Sequence, residues 1–84
     1  MAYYKLDDAI REVKQGYARS LAIHGDWNEY TPWRVIRVVF GEVLELVYAV
    51  ARRDRDGRHG IVNEMRDVAI VSMKALLWYR SRTN

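Results

Sequence analysis

Cysteine is absent from this sequence, which excludes a disulfide-stapled secreted scaffold, a cysteine-rich zinc site and any thiol nucleophile. Histidine is scarce, and two residues cannot build a three-histidine zinc centre. With one proline and five glycines, the chain reads as packed and globular rather than as a linker or low-complexity segment. No uncharged apolar run approaches the roughly twenty residues that a membrane-spanning helix needs. The opening Met1-Ala2-Tyr3-Tyr4-Lys5-Leu6-Asp7-Asp8 has no apolar core after its single lysine. No signal peptide is therefore expected, and the cytoplasm is the expected location. Neither charge sign dominates. Fourteen basic against eleven acidic residues give +3, which suits an anionic partner but suits a merely soluble protein equally well.

What is present is 84 residues, half of them hydrophobic, 30% charged and 12% aromatic. That is room for a single domain, 1–84, with a core small enough that a partner subunit often completes it. Apolar residues recur at spacings of three and four, which predicts three helices. The first runs roughly from Leu6 to Ile23, with Asp7 or Asp8 near its positive end. Its expected inward stripe is Leu6, Ala9/Ile10, Val13, Tyr17 and Leu21. Gly16 weakens that helix by about 1 kcal/mol relative to alanine, and His24-Gly25-Asp26 reads as its stop. Thr31-Pro32 reads as the next start: the threonine side chain caps free N–H groups, and proline loses nothing at the first helical position. The second helix is expected from Pro32 to about Arg53. Its valines also permit a strand over Val35–Phe40, but the helical spacing persists for about twenty residues. Gly41 is a weak point there. Arg52–Gly60 is charged, contains glycine and reads as a solvated loop. The third helix is expected from near Ile61 to about Arg80. The predicted fold class is all-α, a hairpin or bundle of about three helices completed by oligomerisation.

Four carboxylates stand out by position. Glu42 and Glu45 are three apart on the second helix, and Glu64 and Asp67 are three apart on the third. Residues three apart lie about 60° from each other around a helix axis, so each pair faces one side. Val35, Val38, Leu46 and Ala49 fall in the same sector as Glu42, which places that acid inside an apolar stripe with Glu45 at its edge. Val71, Lys74 and Trp78 share a sector with Asp67. If the two helices form an antiparallel pair, all four acids converge. Repulsion and desolvation would then raise their pKa values or push the helices apart. A hard divalent cation removes the conflict: Mg²⁺ takes carboxylate and water oxygens, and Mn²⁺ suits the same ligands. Salt bridges to Arg34, Arg37, Arg66 or Lys74 are the alternative.

These residues resemble a known family, the MazG-like nucleoside triphosphate pyrophosphohydrolases of the all-α NTP pyrophosphatase superfamily. Their signature is ExxE, a spacer, then ExxD. Here Glu42-Val43-Leu44-Glu45 is followed by eighteen residues and then by Glu64-Met65-Arg66-Asp67. Phe40–Leu46 and Asn63–Val68 are similar to the surroundings of those motifs, and the resemblance covers about residues 21–80. It implies that Glu42, Glu45, Glu64 and Asp67 bind Mg²⁺, and that a (d)NTP is hydrolysed to the nucleoside monophosphate and pyrophosphate. It also implies a homodimer or homotetramer. Two positions depart from the family pattern: Gly41 stands where many members begin the first motif with a second acid, and Asn63 where many have Glu.

Glu45, at the edge of the stripe, is the preferred candidate for a base acting on water. Lys74 either reaches a substrate phosphate or forms a salt bridge to the carboxylates. Trp33 and Trp78, with Trp27 and Tyr30, either stack on a base or pack in a core or interface. Arg52, Arg53, Arg55 and Arg58 either steer a polyanion or keep their loop solvated. Two other classes stay open. One is a non-catalytic relative that serves as an oligomerisation or regulatory subunit. The other is a small basic helical module binding nucleic acid, disfavoured by the lack of a contiguous basic helix face.

Overall fold

The computed structural model describes residues 3–82; Met1 and Ala2, part of the opening stretch read above, lie outside the described residues. Three helices follow one another: α1 (Leu6–His24), α2 (Pro32–Arg52) and α3 (Ile61–Arg82). The all-α expectation holds, and the strand alternative over Val35–Phe40 does not occur.

Local chemistry sets the boundaries. At the start of α1, Asp8 Oδ2 accepts from the Lys5 backbone N–H at 2.8 Å. Gly25, at φ 73°, ends the helix by donating its N–H to the Leu21 carbonyl, a conformation that glycine adopts without steric cost. Thr31 Oγ1 accepts from the Arg34 N–H at 3.3 Å, as the Thr-Pro pair predicts. At the other end of α2, Arg53 turns into the left-handed region at φ 58° and returns its N–H to the Ala49 and Val50 carbonyls.

The expected solvated loop is exposed along most of its length and is also internally ordered. Asp54 Oδ1 accepts from the Gly57 N–H, and the Asp54 carbonyl accepts from the Ile61 N–H at 2.7 Å. Asn63 donates from Nδ2 to the Gly57 and Arg58 carbonyls, so the residue that departs from the acidic family pattern ties down the α2–α3 connection.

α3 is the central element. It packs against α2 on one side and α1 on the other, while α1 and α2 do not pack on each other. The core is small: Trp27, Val35 and Trp78, bordered by Tyr30, Val38, Val71 and Ala75. Trp78 donates its indole N–H to the Trp27 carbonyl at 2.7 Å, fastening the α1–α2 connection to α3. Gly16 marks a close approach of α1 to α3: a Cβ there would collide with Ile70 Cδ1. The expected stripe of α1 needs correction at its N-terminal half, because Leu6 is 75% and Ile10 is 44% exposed. One neighbouring helix covers only a narrow line of α1, and no second helix lies over it.

Candidate metal centre and its cavity

The α2–α3 hairpin brings Glu42, Glu64 and Asp67 together, with one oxygen from each lying within 4.8 Å of the others. Opposite ligands of an octahedral Mg²⁺ are about 4.2 Å apart, so small side-chain rotations would close the three oxygens on such an ion. All three donors are hard carboxylates, and the set fits the cation that the sequence predicts.

The convergence is electrostatically costly. Burial first, and then the negative charges of Asp67, Glu64 and Glu45, push the Glu42 carboxyl above its ordinary range. Glu64 is 3% exposed, and its Oε1 lies 3.2 Å from His59 Nδ1. Asp67 has Arg66 Nε at 3.8 Å. Of the four cations expected as alternative salt-bridge partners, Arg66 alone pairs with one of these acids among the described residues. Arg34 instead lies over the Tyr30 ring at 4.1 Å.

Glu45 requires a correction. It is exposed, stands outside the three-acid cluster, and lines a separate surface hollow with Arg52, Asp54, Arg58 and His59. The physical reason is the 60° offset between residues three apart on a helix. With Glu42 turned into the α3 interface, Glu45 is carried past its edge.

Lys74 forms no salt bridge to the carboxylates among the described residues. It is 5% exposed, and its Nζ donates to Ser20 Oγ at 3.1 Å and to the Gly25 carbonyl at 3.5 Å. The ammonium also lies 4.8 Å from the centre of the Trp27 ring. Burial lowers its pKa, and Asp26 opposes that shift. Trp78 is a buried core residue, whereas Trp33 is 76% exposed on α2; neither lines the cavity beside the acids.

That cavity, of about 420 Å³, runs from Glu42 and Asp67 between α1 and the hairpin. Arg19, Arg66 and Lys74 supply positive charge along it, and Trp27 and Tyr30 supply aromatic surface. The two rings stack on each other at 5.3 Å. Arg19, Ser20 and His24 also line it and carried no sequence signal, because only the docking of α1 brings them there.

In class, this is an all-α protein with a half-buried acidic cluster beside a cationic, aromatic-lined groove. Comparison with family models, with curated proteins and with solved structures returned no match, so the site rests on its own geometry.

Proposed function

We propose that this chain is a Mg²⁺-dependent nucleoside triphosphate pyrophosphohydrolase of the MazG-like kind. Glu42, Glu64 and Asp67 hold the cation. The observation that carries the reading is their convergence, within 4.8 Å, at one end of a cavity that also presents Arg19, Arg66 and Lys74. A triphosphate is a polyanion attached to a flat base, and this groove offers carboxylates for a cation, fixed positive charge and aromatic side chains. When bound, the cation neutralises phosphate oxygens and acidifies a water.

The chain's own residues divide the remaining work. Arg19 and Arg66 draw the phosphates into the cavity. Tyr30, half-buried and stacked on Trp27, stands where the base would lie, in place of Trp33 and Trp78, and the Arg34 guanidinium over its ring would have to give way to the base. Lys74, held off the carboxylates by Ser20 and Gly25, contributes positive potential from the cavity wall. Glu45 lies outside the cluster and remains free to take a proton at the hairpin end.

A second reading, metal binding without turnover, draws support from two observations: the Glu64 carboxylate already engages His59, and no fourth acid joins the cluster among the described residues. A pyrophosphate-release assay over (d)NTPs, with and without Mg²⁺, separates the two. The enzyme reading expects release that needs Mg²⁺ and falls at least 100-fold in Asp67→Asn. Calorimetric Mg²⁺ binding with no release from any nucleotide would favour the second.

A further inference from the structure

The α2–α3 turn does more than join two helices: it delivers a hydrogen-bond donor to the acidic cluster. His59 Nδ1 lies 3.2 Å from Glu64 Oε1. The histidine side chain stands 69% exposed, whereas that of Glu64 is 4% exposed. The ring therefore reaches in from solvent to a carboxylate that water barely touches. A carboxylate only accepts hydrogen bonds, so the proton of this pair lies on Nδ1 rather than on Nε2.

The backbone under His59 is fixed from both directions. Arg52 donates from Nη2 to the His59 carbonyl at 3.0 Å, and Asn63 donates from Nδ2 to the Arg58 carbonyl at 3.3 Å. Gly60, the next residue, donates its N–H to the Gly57 carbonyl at 2.9 Å, and its own carbonyl accepts from the Glu64 N–H at 2.9 Å. Donor and acceptor thus ride on one bonded unit, made of the turn and the start of α3. That unit, rather than burial, sets the direction of the ring.

We propose that His59 is a positioning residue for the cation site: its Nδ1–H holds Glu64 Oε1, and the other oxygen of Glu64 is thereby set towards Glu42 and Asp67.

His59 has this role only if the three acids hold a cation, as proposed above, and it keeps the role whether or not a nucleotide is turned over. The three acids are not held alike. Among the described residues, Asp67 has only Arg66 Nε at 3.8 Å, beyond hydrogen-bond reach. Glu64 alone of the three has a side-chain donor at hydrogen-bond distance. A free glutamate side chain must be ordered when a cation arrives, and that ordering weakens binding. A carboxylate already tied by an outer partner has given up that freedom in advance and presents its second oxygen ready-placed.

The test is calorimetric titration of Mg²⁺ alone into the full chain after chelator treatment, at one pH, with helicity checked by circular dichroism. The variants distinguish the two ends of the ring. Asparagine places its amide N–H where Nδ1 sits, and glutamine places it where Nε2 sits. His59→Asn should bind Mg²⁺ within about threefold of the parent, while His59→Gln and His59→Leu should bind roughly 10–100-fold more weakly, as loss of a ligand's outer partner does. The chain has two histidines, so ring ¹⁵N spectra, assigned with His59→Asn, should show the His59 proton on Nδ1 before and after Mg²⁺. A bond that merely anchors the turn would lower the metal-free Tm of the variants and leave all four chains with equal Mg²⁺ affinity, which overturns the proposal. So does a proton on Nε2 alone, or a His59→Asn chain that binds as weakly as His59→Leu. A parent that binds no Mg²⁺ overturns the cation reading and this role with it. A parent that binds Mg²⁺ no better than His59→Leu does overturns the role alone.

Discussion

Lys74 and Glu42 are two residues whose charge the fold makes costly, and their signs differ. Lys74 is lowered by burial, so between its folded pKa and the ordinary lysine value the unfolded chain binds more protons than the folded one. Stability therefore rises with pH through that window. Denaturant titrations at pH 8 and pH 10 should show the increment in the parent and lose it in Lys74→Met, which keeps the length of the side chain without its charge. Glu42 is raised, chiefly by burial, so the folded chain holds the extra proton. Its contribution is complete below the ordinary carboxylate pKa and disappears as pH climbs through the raised value. Without metal, Glu42→Gln should raise Tm at pH 7, where the parent must carry a disfavoured charge. That gain should shrink as pH falls through the raised value, where the folded parent takes up its proton.

At the scale of helices, two glycines with the same intrinsic helix cost make opposite predictions. A Cβ at Gly16 would strike Ile70, whereas nothing lies within 4 Å of one at Gly41. Gly16→Val should cost about 1–3 kcal/mol by forcing α1 off α3, with amide exchange speeding up throughout α1. Gly41→Ala should raise stability by roughly 0.5–1 kcal/mol, measured by thermal melting. The sequence carried the elements themselves well. Thr31-Pro32 announced the start of α2 to the residue, and three-four periodicity outweighed the β-branched content of Val35–Phe40. Periodicity gives a helix its apolar face but not its neighbour. It could not say that α1 rests on α3 alone, that Leu6 and Ile10 stay open, or that Arg19 and Ser20 reach the cavity. The acidic motifs were legible as a pair of pairs. Which three acids meet depends on how α2 is rotated against α3, and an offset of 60° was enough to remove Glu45.

For the whole molecule, that rotation and the proposed cation make one joint prediction. A ligand that binds the folded state alone stabilises it by about 2.7 kcal/mol at one hundred times its dissociation constant, and a domain of this size gains about 4–8 °C per kcal/mol. Saturating Mg²⁺ should therefore raise Tm by about 10 °C or more at fixed chain concentration, and EDTA should reverse the gain. Asp67→Asn removes one of the three converging carboxylates and should abolish most of that shift. Glu45→Gln, altering an exposed side chain one turn along α2, should leave it nearly intact. The shift should also fade on acidification sooner than isolated carboxylates would give, because the raised pKa of Glu42 makes protons compete with the cation at higher pH. Equal losses in Glu45→Gln and Asp67→Asn would mean that four acids share the ion, which requires α2 to turn by tens of degrees against α3. That turn would also swing Trp33, Phe40 and Val47 from the outward line on which all three stand exposed, so the metal titration tests the orientation of α2 as a whole.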